Sequence, residues 1–294
     1  MQSDPRQLLE QRCGIDANSL YVNEYRCQRP NVEKIEDRFP KFLSASAIHQ
    51  YLAYHASTSV VPYYFSWYSD TGRGRGFTVT GLGDAAQWNS LDILDRYRDV
   101  DTLWAALGGM HAVHVAHGDI KADNVVRYRG HLCFIDFDNS RLLDAEMRQR
   151  LPATDLIPDK IRQTTYFSPE CTLGHVGQEG LGTFGHDVFT LALLSFRILV
   201  GPAASPILKR FESTEGLTEE ADIQQHLDVL VQGANIDRQL KGVLAQGLTI
   251  DPNRRNSAKE ISTQFNVSDE FLIYFYVYFF MYYLWIYLCI YVQL

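Results

Sequence analysis

Apolar positions return along the chain with two different periods. Over 42–56, FLSASAIHQYLAYHA, they recur every three or four residues, with Leu43, Ala47, Ile48, Tyr51, Leu52 and His55 near one stripe, and this spacing predicts a helix. VVPYYFSWY at 60–68 and GFTVTGL at 76–82 are rich in β-branched and aromatic residues and predict two strands, joined by the Gly-rich turn SDTGRGR. Ahead of them, residues 1–40 are polar and irregular, and YVNEYRC is the one strand candidate there. From position 91 the period becomes helical, in LDILDRYRDVDTLWAALGGMHAVHVA, then DVFTLALLSFRILVG, then amphipathic segments up to about 264. The pattern divides the chain into an irregular or degenerate start (1–40), the rest of a small β-rich lobe (41–84) and a larger helical lobe (85–264), an α+β arrangement.

The final stretch, 271–294, has neither period. It is an uncharged run of 24 residues holding 12 of the 37 aromatic residues, and as a helix it would reach about 36 Å, enough for the roughly 30 Å core of a bilayer. Seven tyrosines fit that core poorly, because Tyr prefers the interface. Two expectations follow: a membrane anchor with the body in the cytosol, or the translation of a T-rich, non-coding stretch such as a retained intron beginning near Val267-Ser268.

The remaining 270 residues carry the whole net charge of −8, and an acidic body argues against a nucleic-acid partner. Cys13, Cys27, Cys133, Cys171 and Cys289 form no C-x-x-C pair, which predicts buried thiols, a reducing compartment and no zinc site. The opening residues lack a basic flank followed by an apolar run, so a cytoplasmic protein is expected, acting as a monomer. Gly72, Gly74 and Gly76 could suggest a phosphate loop, but they join two strands instead of opening a helix and predict a hairpin loop with exposed arginines.

The chemistry is concentrated in His117-Gly-Asp119-Ile-Lys121-Ala-Asp-Asn124, followed by VVRY, a turn at Arg129-Gly130, and HLCFIDFD with Asp136. One carboxylate here can accept a proton from an attacking hydroxyl, while a lysine two residues on neutralises phosphate charge. An Asn and an Asp offer hard oxygen ligands for magnesium. The block resembles the catalytic loop and metal-binding strand end of the protein-kinase superfamily. Tyr166-Phe-Ser168-Pro169-Glu170 and Asp251-Pro-Asn-Arg-Arg255 resemble the motifs that close the activation segment and supply its arginine partner, and Asp187 resembles the aspartate that braces the catalytic loop.

The resemblance covers about 45–264 and implies a two-lobed, protein-kinase-like fold with a small β-rich N-lobe and a larger helical C-lobe. It implies transfer of phosphate from ATP, with Mg2+, to Ser/Thr hydroxyls of a protein substrate. Asp119 would be the base, Lys121 would face the transferred phosphate, and Asn124 and Asp136 would hold the metal. Thr164 or Thr165 would contact Asp119 and Lys121, and Gly81 and Gly83 would flank the nucleotide at the hinge. His117, Glu170, Asp187 and Arg255 would hold this geometry, Asp187 otherwise being a helix cap and Arg255 a surface charge. Gly118 replaces an Arg that pairs with a loop phosphate, so the site should not need loop phosphorylation. Asp138 replaces a Gly, which should stiffen the segment after Asp136.

The small lobe departs from the family pattern. No Gly-rich loop appears; the candidate strand offers Arg26 or Arg29 instead of Lys, with Lys34 and Lys41 outside a clear strand; and the helix over 42–56 has His49 near the place of the expected Glu. Two alternatives therefore stand beside an active kinase: a pseudokinase that acts as a binding scaffold, and, on Gly118 alone, a small-molecule phosphotransferase.

Overall fold

In the computed structural model, the residues described are 16–26, 38–69, 75–155, 164–173, 182–212 and 219–265. The small lobe is a three-stranded antiparallel sheet of β1 (Leu20–Arg26), β2 (Tyr63–Ser69) and β3 (Arg75–Gly81), in the order β1-β3-β2, with helix α1 (Arg38–His55) packed against it. Val79 of the central strand is fully buried and packs with Leu20, while Trp67 stacks on Phe77 with ring centroids 4.5 Å apart. Gly76 is fixed by packing, since a Cβ there would lie 2.5 Å from the Phe42 ring of α1. Arg75 lies in the strand itself, with its guanidinium 3.1 Å from Glu24; 70–74 and the Arg73 of the predicted loop lie outside the described residues.

Helix α1 differs from the predicted stripe. It buries Phe42, Ala45, Ile48 and Leu52 together with Ser44, Ser46 and His49, while Leu43, Ala47 and Tyr51 are half-buried and His55 is exposed. The reason is that the helix is covered on two sides, by the small sheet and by the 152–155 turn, so its buried surface is wider than one stripe. Small hydroxyls allow this close approach: Ser46 Oγ lies 3.0 Å from Thr78 Oγ1 of β3.

The chain leaves β3 through Leu82 and Gly83, forms β4 (Asp84–Ala85), and enters the larger lobe at α2 (Ile93–Ala112), capped by Asp92, whose side chain accepts from the Asp95 N–H. Next come β5 (Val115–Ala116), β6 (Val125–Tyr128), β7 (His131–Phe134) and β8 (Arg141–Leu142). Strands β6 and β7 pair through a two-residue turn in which Arg129 (φ 49°) and Gly130 (φ 87°) are both left-handed, the backbone a tight hairpin requires. Among the described residues, the other helices of eight residues or more are α3 (Phe184–Val200), α4 (Glu220–Gly233), α5 (Arg238–Gly247) and α6 (Ala258–Phe265).

Helix α3 is buried on nearly all sides, Arg197 being exposed, because it is the core of the large lobe. Phe189, Leu191, Leu193, Leu194 and Phe196 are fully buried, and Ser195 accepts from the Trp104 indole at 3.1 Å. The stretch Phe184–Phe211, the one among the described residues apolar and long enough to cross a membrane, is therefore mostly core helix. Cys133 is buried and Cys171 half-buried, and burial pushes both thiols up to about 11. Cys13, Cys27, Cys289 and the tail over 271–294 lie outside the described residues. The observed architecture is a two-lobed α+β fold.

Candidate active site

A cleft of about 1380 Å³ separates the lobes. Its roof is β1 and β3, its back wall is α1, and its floor carries Asn124 and Asp136. Gly81 and Gly83 line the passage between the lobes, where a Cβ would come within 2.7 Å of the Tyr128 ring and 2.6 Å of Val126, so these glycines let the connecting chain pass against β6.

The loop between β5 and β6 is organised from below by Asp187. This carboxylate, fully buried in the first turn of α3, accepts from the backbone N–H groups of His117 (2.7 Å) and Gly118 (2.8 Å) and faces His111 Nε2 at 3.1 Å. It is not the helix cap, since Thr183 accepts from the His186 N–H in that place. Burial alone would raise its pKa, and the hydrogen bond and charge of His111 outweigh this to hold it below the usual range. Gly118 is required by geometry: its φ is +81°, and a Cβ would stand 2.5 Å from the Asn139 carbonyl oxygen. His117, also fully buried, spans the two strands as a neutral ring whose Nε2–H donates to the Ile135 carbonyl (3.0 Å) and whose Nδ1 accepts from the Asp119 N–H (3.3 Å).

Asp119 sits at the centre of four donors. Its Oδ2 accepts from Lys121 Nζ (2.7 Å) and Asn124 Nδ2 (3.2 Å), and its Oδ1 from the Thr165 N–H (2.7 Å) and the Thr164 hydroxyl (3.4 Å). Lys121 Nζ also donates to Thr165 Oγ1 at 3.1 Å, so Thr165 is the threonine that touches both charged groups. Burial pushes the Asp119 carboxyl up, but Lys121 and the Thr165 N–H outweigh it and hold the group ionised below its ordinary range. Burial likewise lowers Lys121, and its hydrogen bond to Asp119 with the charges of Asp119, Asp136 and Asp123 reverses this to a raised pKa. The pair is therefore an ion pair at neutral pH, with the Asn124 amide N–H groups committed to the Asp119 carbonyl and carboxylate.

Asp136 is exposed to the cleft and holds a left-handed backbone, φ 64°. That conformation is uncommon outside Gly, and Asp is among the few side chains that tolerate it. Asp138, the residue in the Gly position, is not left-handed and needs no glycine; its Oδ1 instead accepts from the Tyr25 hydroxyl of β1 at 2.8 Å. Between them, Phe137 is buried against the ring of His49, 4.8 Å away. His49 is neutral: burial depresses its pKa to about 4, and its Nε2–H donates to the Val61 carbonyl at 2.8 Å. It thus anchors Phe137 instead of holding a cation.

Glu170 and Arg255 form a bidentate buried pair, Nη1–Oε1 2.8 Å and Nη2–Oε2 2.6 Å, so Arg255 is a core group and not a surface charge. Three residues that the sequence reading passed over also belong to the site. Tyr25 holds Asp138; His111 holds Asp187; and His186, fully buried, faces Thr164 Oγ1 (3.3 Å) and Ser168 Oγ (3.0 Å). His186 had a signal, its place beside Asp187, but Tyr25 reads as an ordinary strand aromatic. Arg29 and Lys34 lie outside the described residues.

A two-lobed fold with an Asp–Lys–Asn cluster at the mouth of an interlobe cleft defines a phosphotransferase-type architecture. The family model of the protein kinase domain matches residues 96–265, more than half of the chain, and the chain belongs to this family. No curated protein matches it.

Proposed function

We propose that this protein is an active protein kinase that moves the γ-phosphoryl group of ATP to Ser/Thr hydroxyls of protein substrates, with the large lobe over 85–264 carrying the chemistry and 41–84, together with β1, covering the nucleotide. The observation that carries the reading is Asp119: a carboxylate held ionised and oriented by Lys121, Asn124 and Thr165 within hydrogen-bond distance. The substrate hydroxyl gives its proton to Asp119 as its oxygen bonds to the γ-phosphorus. The bond from that phosphorus to the β–γ bridging oxygen breaks, and ADP leaves. Lys121 neutralises charge on the transferred group, and the Thr165 hydroxyl on Lys121 favours the Ser/Thr assignment.

The donor set fits magnesium. Asn124 and Asp136 are hard oxygen ligands on one cleft, and among the described residues no group of three or more His, Cys, Asp and Glu makes a closed metal cage. Magnesium bound by one or two side chains and completed by phosphates matches such an open site, and when bound it supplies charge neutralisation on the phosphates. Gly81 and Gly83 would lie beside the nucleotide base.

The experiment is phosphate transfer to a generic protein substrate, followed by phosphoamino-acid analysis, with Asp119→Asn as control and thermal stabilisation by ATP read with and without Mg2+. Transfer to Ser or Thr that vanishes in Asp119→Asn is the expected result. The cleft face of β1 favours a second reading, a nucleotide-binding scaffold, because Tyr21, Asn23 and Tyr25 there include no lysine. ATP binding without transfer by the wild type would establish the scaffold and refute the kinase.

A further inference from the structure

Lys121 serves the transferred phosphate, and β1 provides no cation on its cleft face for the other phosphates of a nucleotide triphosphate. Among the side chains that line the cleft, two are cations, Lys41 and Arg197. Arg197 belongs to α3 in the large lobe, where its Nη1 donates to the Tyr166 hydroxyl at 3.3 Å beside the floor residues Ile198 and Gly201. Lys41 is placed differently.

Lys41, Ala45 and His49 are four residues apart on α1, and all three line the cleft. His49 meets Phe137 at one end of this face, and Lys41 lies two turns, about 12 Å, further toward the start of the helix. The neighbour of Lys41, Phe42, packs its ring 5.5 Å from that of Tyr25, and Tyr25 reaches Asp138. Lys41 thus shares the cleft with Asp136 and Asp138, at the end of α1 that packs on Tyr25. It has no ion-pair partner among the described residues, and α1 contains no Asp or Glu to neutralise it. A cation without an ion-pair partner, lining the same cleft as Asp136, suits a polyanion that reaches between the two.

We propose that Lys41, on the helix, is a second phosphate-binding cation of this kinase beside Lys121, serving the phosphates that are not transferred. The assignment rests on the ATP reading above. The test compares Kd values for ATP and for adenosine, both with Mg2+, in wild type, Lys41→Met, which keeps the length of the side chain, and Lys41→Arg, which keeps the charge; thermal melting of the free proteins controls for folding. We expect Lys41→Met to weaken ATP at least about tenfold, the scale of one hydrogen bond to a charged group, to leave adenosine within about twofold, and Lys41→Arg to recover most of the loss. Equal loss for ATP and adenosine, or no loss for ATP, would overturn the role of Lys41 alone. A wild type that binds no ATP with Mg2+ would overturn the ATP reading and this one with it.

Discussion

Replacing Arg255 by Met tests how the large lobe holds its activation segment. The guanidinium uses all five of its N–H donors: two on Glu170, and one each on the carbonyls of Thr249 (2.7 Å), Gly185 (2.9 Å) and Ile250 (3.0 Å), with the Phe189 ring 5.0 Å away. Met fills much of the volume and none of the donors, so Glu170, 3% exposed, is left as a buried carboxylate without its cation. Breaking a buried pair in this way costs about 3–5 kcal/mol, which for a domain of this size is a fall in Tm of about 6–20 °C. The pH dependence separates this cause from lost packing. In the wild type, burial raises Glu170 but Arg255 outweighs it, so its folded pKa is depressed and its stabilising contribution is lost as pH falls through the carboxylate range. In Arg255→Met burial is opposed only by hydrogen bonds from Ser168 and the Glu170 N–H, so the folded pKa rises relative to the wild type and less stability is lost as pH falls. Urea unfolding at pH 7.5 and pH 5 should therefore show the gap between wild type and variant narrowing on acidification, and Glu170→Gln added to Arg255→Met should recover part of the loss at pH 7.5. A loss under about 1 kcal/mol, or a gap that does not change with pH, would refute the reasoning.

Three further outcomes are expected. Gly118→Ala should destabilise by about 2 kcal/mol or more, from the left-handed backbone and the contact with the Asn139 carbonyl, read by thermal melting. Asp187→Asn sets an amide N–H against the backbone donors of His117 and Gly118 and should cost about 1–3 kcal/mol; calorimetry reads the stability, and a transfer assay reads the loss of loop geometry. His49, depressed from about 6.5 to about 4, contributes stability that is full above pH 6.5 and lost as pH falls toward 4. Between pH 7 and pH 4.5 this amounts to about 2–3 kcal/mol, measured as the difference in urea stability between wild type and His49→Gln.

The motif block was legible because its members are close in sequence. His117 to Asn124 share one loop, the Arg129-Gly130 turn folds β7 back beside it, and so the spacing alone brings Asp119, Asn124 and Asp136 to one place. The pair Glu170 and Arg255, 85 positions apart, could be read only through resemblance, since neither residue carries a local signal. The two-stranded run at 60–82 and the long helices were read from period. What the sequence withheld is in the small lobe. Tyr25 meets Asp138 across 113 positions, and nothing in YVNEYRC marks one tyrosine as a cleft residue. The helix stripe missed Ser44 and Ser46 because burial on two sides selects small residues as well as apolar ones. His49 carried the opposite ambiguity: a histidine in a helix can be charged or buried, and only the carbonyl of Val61 and the ring of Phe137 decide for the neutral form.

The bond from Tyr25 to Asp138 gives the interlobe hinge a bolt. Covalently, the lobes are joined through Leu82 and Gly83; on the far side of the cleft they are joined by a phenol on a carboxylate, which tethers the sheet to the segment carrying Asp136. Parting the lobes to exchange a bound ligand must break it. A hydrogen bond to a charged acceptor contributes about 1.5–3 kcal/mol, so the open form is depleted roughly tenfold to a hundredfold.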